Sequence, residues 1–239
     1  MQYPLKRWAC LCGILYLAAE NWVAAAPAAG VLAPIALPQL CVTEGFIEPS
    51  ASGDWVSVST PKMRAYLNIL TTPLIEARFR YLGPSAHDAP LASGIMRRQF
   101  GVKLRAQDAC NLIYAMWRIE PDSKLVVSVK SNPGQHRSAQ CGNRGYRNVK
   151  PHFSAPLPPL RSGEEHALRA LVNGPSVRVF ADEALVWDGS VGADGLAFDG
   201  PVGVRSDNAR LELQLRAGPR RDASAGPPPS CRSGPGEAE

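Results

Sequence analysis

The side chains whose type and spacing could do chemistry in this 239-residue chain are cations and tyrosines on short alternating segments. Residues 99–108 (QFGVKLRAQD) put Gln99, Lys103, Arg105 and Gln107 on one side, and residues 111–120 (NLIYAMWRIE) put Tyr114, Arg118 and Glu120 on one side. Residues 124–130 (KLVVSVK) add Ser128 and Lys130. Guanidinium groups match carboxylate and sulfate oxygens in pairs, and a ring such as Tyr114 can stack on a sugar, so an acidic glycan is the ligand this face suggests. The bland alternative is the solvated side of a half-exposed sheet. A second basic cluster fills residues 132–150 (NPGQHRSAQCGNRGYRNVK), where Tyr146 lies among Arg144, Arg147 and Lys150. Long loops on rigid scaffolds often bind, although a solvated, disulfide-pinned loop has the same composition.

Catalysis finds less support. A retaining glycosidase needs two carboxylates about 5 to 5.5 Å apart, and an inverting one a wider pair. No Glu-x-Asp or Glu-x-Glu lies on an alternating segment; Glu120 stands alone before Pro121, and Glu212 has arginine neighbours. Elimination from a uronate needs a Tyr or His base with Arg, Gln or Asn against the carboxylate. Tyr114, Tyr146, His136, Arg105 and Gln99 supply those types, but no spacing selects them. There is no G-x-S-x-G elbow. No cofactor is expected, with calcium the one metal left open: Asp194, Asp199, Asp207 and Asn208 could meet near sheet-edge loops, although they miss regular calcium-loop spacing. A zinc site from His136, Cys110 and Cys141 lacks the usual C-x-x-C or H-x-x-x-H spacing.

The elements that must position these groups are strands. Phe100, Val102, Leu104 and Ala106 alternate against the polar set, as do Ile113, Ala115, Trp117 and Ile119, then Leu125, Val127 and Val129. With Pro121-Asp122 and the SNPG run at 131–134 as turns, this reads as a three-stranded meander. Residues 76–81, 176–180, 185–187 and 210–216 carry the same period of two. Residues 162–172 (SGEEHALRALV) open with a Ser-x-x-Glu capping box, yet the turn residues Asn173, Gly174 and Pro175 favour a strand from His166 to Val172. Residues 61–70 fit either element. Trp117 and Trp187 read as core, whereas Trp55, beside Gly53 and Asp54, reads as more exposed. The class is all-β: two packed antiparallel sheets with one or two short helices.

The ends read differently. Lys6 and Arg7 precede an apolar run from Trp8 to Ala19 that is shorter than the roughly 20 residues a membrane helix needs. Residues 1–25 therefore read as a cleavable signal peptide with Val23 and Ala25 before the cut, leaving no membrane span. Residues 26–40 form an extended linker or arm, residues 41–217 the folded body, and residues 218–239, which have little to bury, a disordered tail. The expected location is secreted or periplasmic. The cysteines that remain, Cys41, Cys110, Cys141 and Cys231, allow three pairings. Cys110 with Cys141 brackets a strand pair, and Cys41 with Cys231 would tie the ends of the body. The net charge of +5, from 26 Lys+Arg against 21 Asp+Glu, is too mild for a dedicated nucleic-acid binder.

Residues 200–217 (GPVGVRSDNARLELQLRA), following FADEALVWDG at 180–189, resemble the closing strands of concanavalin A-like (laminin-G-like) jelly rolls. The run QFGVKLRAQDACNLIYAMWRIEP is similar to an uncharacterised family of secreted bacterial proteins with that fold. The resemblance implies a jelly-roll sandwich with one concave sheet, a fold that carries lectins, glycosidases, lyases and adhesion modules alike. The reading that follows is an exported, non-catalytic module that binds a glycan through Gln99, Lys103, Arg105, Tyr114, Arg118, Glu120, Lys130, Tyr146 and Arg147. The alternatives are a polysaccharide-active enzyme, a lyase ahead of a hydrolase, and a structural or protein-interaction domain of the cell envelope.

Overall fold

The computed structural model describes residues 31–221 and Cys231. The expected signal peptide, the first part of the linker and most of the tail lie outside the described residues. Among the described residues, sixteen strands form two antiparallel sheets. The first sheet runs β11 (Pro151–Ser154), β14 (Ala184–Ser190), β13 (Ser176–Ala181), β12 (Glu165–Asn173), β6 (Leu74–Pro84), β16 (Ala209–Ala217), β4 (Val56–Val58) and β3 (Glu48–Pro49), with β1 (Ala33–Pro34) added on β16. The second runs β10 (Tyr146–Asn148), β9 (Lys124–Lys130), β8 (Leu112–Glu120), β7 (Arg98–Leu104), β15 (Gly203–Asp207), β5 (Lys62–Leu67) and β2 (Leu40–Glu44). Two one-turn helices, α1 (Ser138–Cys141) and α2 (Gly192–Leu196), sit in connections. No helix among the described residues is long and apolar enough to cross a membrane.

The core lies where the inner faces meet, as alternation requires. Phe79 of the first sheet packs on Phe100 and Trp117 of the second, with ring centroids 5.0 and 5.4 Å apart. Leu211, Leu213 and Leu215 on β16 and Val177 and Val179 on β13 complete the same cluster. Residues 98–130 form the expected meander, residues 166–172 are strand, and residues 62–67 settle as β5. Trp187 is buried, and so is Trp55, contrary to its exposed expectation: the Arg80 guanidinium covers its ring at 4.2 Å.

One alternation breaks where the sequence shows no break. β7 ends at Leu104 because Arg105 adopts a left-handed backbone, φ 48°. The turn flips Ala106 to the outer side, where it joins Leu112, Tyr114 and Met116 in a second small apolar cluster. The outer face of β8 is thus part apolar floor rather than a wholly polar surface.

Of the three pairings the sequence allows, the structure has the one that brackets the strand pair and ties the ends of the body. Cys110 joins Cys141 across 31 residues, and Cys41 joins Cys231 across 190. The zinc reading falls with them, since both cysteine sulfurs are oxidised and His136 turns its Nδ1 to Asp108 at 2.7 Å. Chain order also extends beyond both body limits: β1 pairs with β16 at one end, and at the other Arg220 bridges Thr71 and the Arg221 amide donates to Leu70.

Candidate functional site

The outer face of the seven-stranded sheet holds a groove of about 270 Å³. Even-numbered positions of β8 and β9 meet odd-numbered positions of β7 and β15 there by register, Gln99 beside Arg118 and Asp207, Tyr114 beside Lys103 and Ser128. The floor is buried: Arg64, Gln99, Tyr114, Met116, Ser128, Lys130 and Arg205. The rim is accessible and includes Lys62, Arg97, Arg118, Asn143, Tyr146 and Asn148. Six of the described lining residues are cationic and none is a carboxylate.

A buried anion organises the floor from beneath. Asp207 is fully buried, and its carboxylate accepts from Arg64 Nη2 at 2.5 Å, Gln99 Nε2 at 2.6 Å and Arg205 Nε at 3.0 Å. Burial alone would raise its pKa, but the charges of Arg205 and Arg64 and the hydrogen bonds outweigh it and hold the carboxyl well below the usual carboxylate range. Arg205 then reaches up, its guanidinium 5.1 Å from the Tyr114 ring and its Nη1 donating to Tyr146 Oη at 3.2 Å. The Tyr114 and Tyr146 rings stack with centroids 6.0 Å apart, and Lys130 Nζ lies 5.1 Å from the Tyr146 ring while donating to the Ala109 carbonyl at 2.9 Å. Tyr114 is 1% exposed and Tyr146 39%, so the ring offered to solvent is Tyr146.

Two loops form the rim. In the β9–β10 loop, Asn132 donates through Nδ2 to the Cys110 and Arg144 carbonyls, and its amide donates to Asn111 Oδ1. With the Cys110–Cys141 bond, these contacts fix the approach of Asn143 and Tyr146 to the groove. On the other side Asn208, left-handed at φ 57° between β15 and β16, accepts from the Ala89 amide at 2.8 Å and donates to the Ala89 and Arg97 carbonyls at 2.9 Å each. That clamp holds the segment carrying Leu91, Ser93 and Arg97 over the sheet.

Of the residues expected at a site, Gln99, Tyr114, Arg118, Ser128, Lys130 and Tyr146 line the groove. Lys103 lies on the same face but is buried between the β8 and β15 ladders. Three others point elsewhere. The left-handed turn carries Arg105 off the strand, and its Nη1 donates to the Gly195 carbonyl at 3.0 Å. Glu120 leaves at the end of β8 to pair with Arg98. Arg147, one residue from Tyr146, projects to the opposite side and donates to the Val191 carbonyl at 3.0 Å. The calcium set does not converge, because Asp194 faces Arg147, Asp199 faces Arg221, Asp207 serves the floor and Asn208 clamps the loop. Sequence reasoning missed Lys62, Arg64, Arg97 and Arg205; the K-x-R and R-x-D spacings at 62–64 and 205–207 were the available signal.

No protein-family model matches the chain, and no curated protein matches it. Solved structures do. A carbohydrate-binding module, CBM66, from Bacillus subtilis is similar at a TM-score of 0.50 and 13% identity, over 73% of this chain and 91% of that one. Also similar, at lower scores, are the galectin LEC-6 of Caenorhabditis elegans (TM-score 0.38, 10% identity, 77% and 97% of the two chains) and the Crh5 transglycosylase (0.44, 12%, 80% and 81%). The fold is a two-sheet antiparallel jelly-roll sandwich, as the closing strands suggested.

Proposed function

We propose that the protein is an exported, non-catalytic module that binds an acidic glycan in the groove on the outer face of its seven-stranded sheet. The observation that carries this reading is the lining itself: six cations and an exposed tyrosine with no carboxylate among the described lining residues. Tyr146 supplies an apolar ring face for a sugar, and the surrounding cations supply donors for its anionic substituents. The two disulfides fit a chain that folds outside the reducing cytosol, in the periplasm or beyond it. The carboxylate pair that hydrolysis needs is not among the described lining residues, and Asp207, beneath the floor, is buried and held by two arginines.

The test is a glycan array spanning neutral, uronate and sulfated polysaccharides, repeated over a salt series. Binding to acidic glycans that weakens with salt, with about a tenfold loss for Tyr146→Ala, is the expected result. Absence of binding to any glycan at low salt contradicts the proposal. So does the appearance of unsaturated ends on a uronate polymer, which would make the protein a lyase.

A further inference from the structure

Arg97 and Arg118 stand apart from the other cations of the groove. Arg64 and Arg205 rest on Asp207, and Lys130 rests on the Ala109 carbonyl and the Tyr146 ring. Arg98, next to Arg97 in sequence, is saturated by Asp88, Glu120 and the Asn208 carbonyl. The Nε atoms of Arg64, Arg97 and Arg118 are all buried without a hydrogen-bond partner, but Arg64 has the carboxylates of Asp207 and Glu44 at 2.5 and 3.8 Å beside it, whereas no carboxylate lies within ion-pair distance of Arg97 or Arg118 among the described residues. A buried donor without an acceptor is a cost that folded proteins seldom carry without use.

Their placement is firm. The Arg97 carbonyl is held by Asn208, and Arg118 is locked in the β7–β8 ladder opposite Gln99 and in the β8–β9 ladder opposite Lys124. Burial, and then the charge of Arg97, pull Arg118 below the ordinary guanidinium value, while Asp122 pulls the other way. Asp122 is itself within 3.6 Å of Lys124. Two like charges lining one groove, each with an unmet donor, are relieved by one oxyanion that accepts from both.

We infer that Arg97 and Arg118 form an oxyanion subsite at the rim of the groove, which takes a single carboxylate or sulfate group of the ligand between their guanidinium groups. The inference rests on the glycan reading of the groove and names the substituent that the groove reads and where. Guanidinium forks suit this work better than ammonium groups, because each presents Nε–H and Nη–H donors in one plane to a pair of oxygens.

The experiment follows the arginine Nε–Hε resonances of the full oxidised chain by ¹H–¹⁵N NMR. Sodium sulfate and, separately, galacturonate are titrated at constant ionic strength against chloride. The Arg97 and Arg118 signals are expected to shift together and saturate, and Arg118→Gln to abolish the response at Arg97. Arg118→Lys, which keeps the charge but lacks the fork, is expected to weaken saturation about tenfold. Signals that do not move, or an Arg97 response unchanged in Arg118→Gln, overturn the subsite. The two arms separate carboxylate from sulfate as the preferred group. Saturation by these anions in a protein that binds no polysaccharide would retain the subsite and remove the glycan reading. A glycan bound in the groove with affinity unchanged by Arg97→Gln would do the reverse.

Discussion

Asp207 has no exposed surface, yet the groove is arranged around it. It converts two arginines that would repel each other into a fixed floor, while Arg64 Nη1 donates to the Met63 and Ser206 carbonyls and Arg205 Nη1 to Tyr146 Oη. Replacing it by Asn keeps the shape and removes the charge, stranding Arg64, which is almost fully buried. Asp207→Asn is therefore expected to cost about 3–5 kcal/mol in denaturant unfolding. The depressed carboxyl also predicts a pH dependence. Its stabilisation is complete above the unfolded value near pH ~4 and drains away as the pH falls below that value towards the lower folded one. Unfolding measured between neutral pH and pH ~2 should show this acid limb in the wild type and a flatter one in Asp207→Asn. Parallel limbs in the two proteins would mean that Asp207 does not carry the acid sensitivity.

Strands set which side chains share a face, and loops decide which of them reach the groove. Alternation on β7, β8 and β9 put Gln99, Tyr114, Arg118, Ser128 and Lys130 on the one face that lines the groove, because period-two burial is a local property written in apolar spacing. It failed at Arg105 and Ala106, where a left-handed residue other than glycine reverses the face, and nothing in the residue types announces that turn. It also could not show that β15 and β5, far from the meander in sequence, insert beside β7 and bring Arg205, Arg64 and Lys62 with them. Sheet order depends on long-range pairing, which period alone does not encode. Tyr146 was visible by composition, but its docking depends on the loop pinned by the Cys110–Cys141 bond. Replacing both cysteines by Ser should lower stability by about 3–4 kcal/mol, the chain-entropy value for a loop of this length. Glycan affinity should fall as well, because Tyr146 and Asn143 lose their anchor. Unchanged affinity in the double variant would show that the loop holds its place without the bond.

At the scale of the whole molecule, the two outward faces differ in kind. The nine-stranded sheet also carries arginines outward, but four of them have carboxylates beside them: Arg80 reaches Glu212 and Glu165, Arg78 reaches Glu165 and Glu76, and Arg216 and Arg169 approach Glu76. Such exposed pairs do little beyond neutralising one another. The seven-stranded sheet borders a groove lined by six cations among the described residues, with the Asp207 carboxylate buried below the floor. Net charge alone would draw a polyanion to either face, so the measurement that decides is a comparison between them. Lys62→Ala and Tyr146→Ala on the groove, and Arg78→Ala and Arg216→Ala on the opposite sheet, are titrated calorimetrically with one acidic oligosaccharide at near-physiological salt. The groove variants are each expected to lose about tenfold in affinity and the others less than about twofold. Equal losses from all four, or losses confined to Arg78 and Arg216, would contradict a binding site on the seven-stranded sheet.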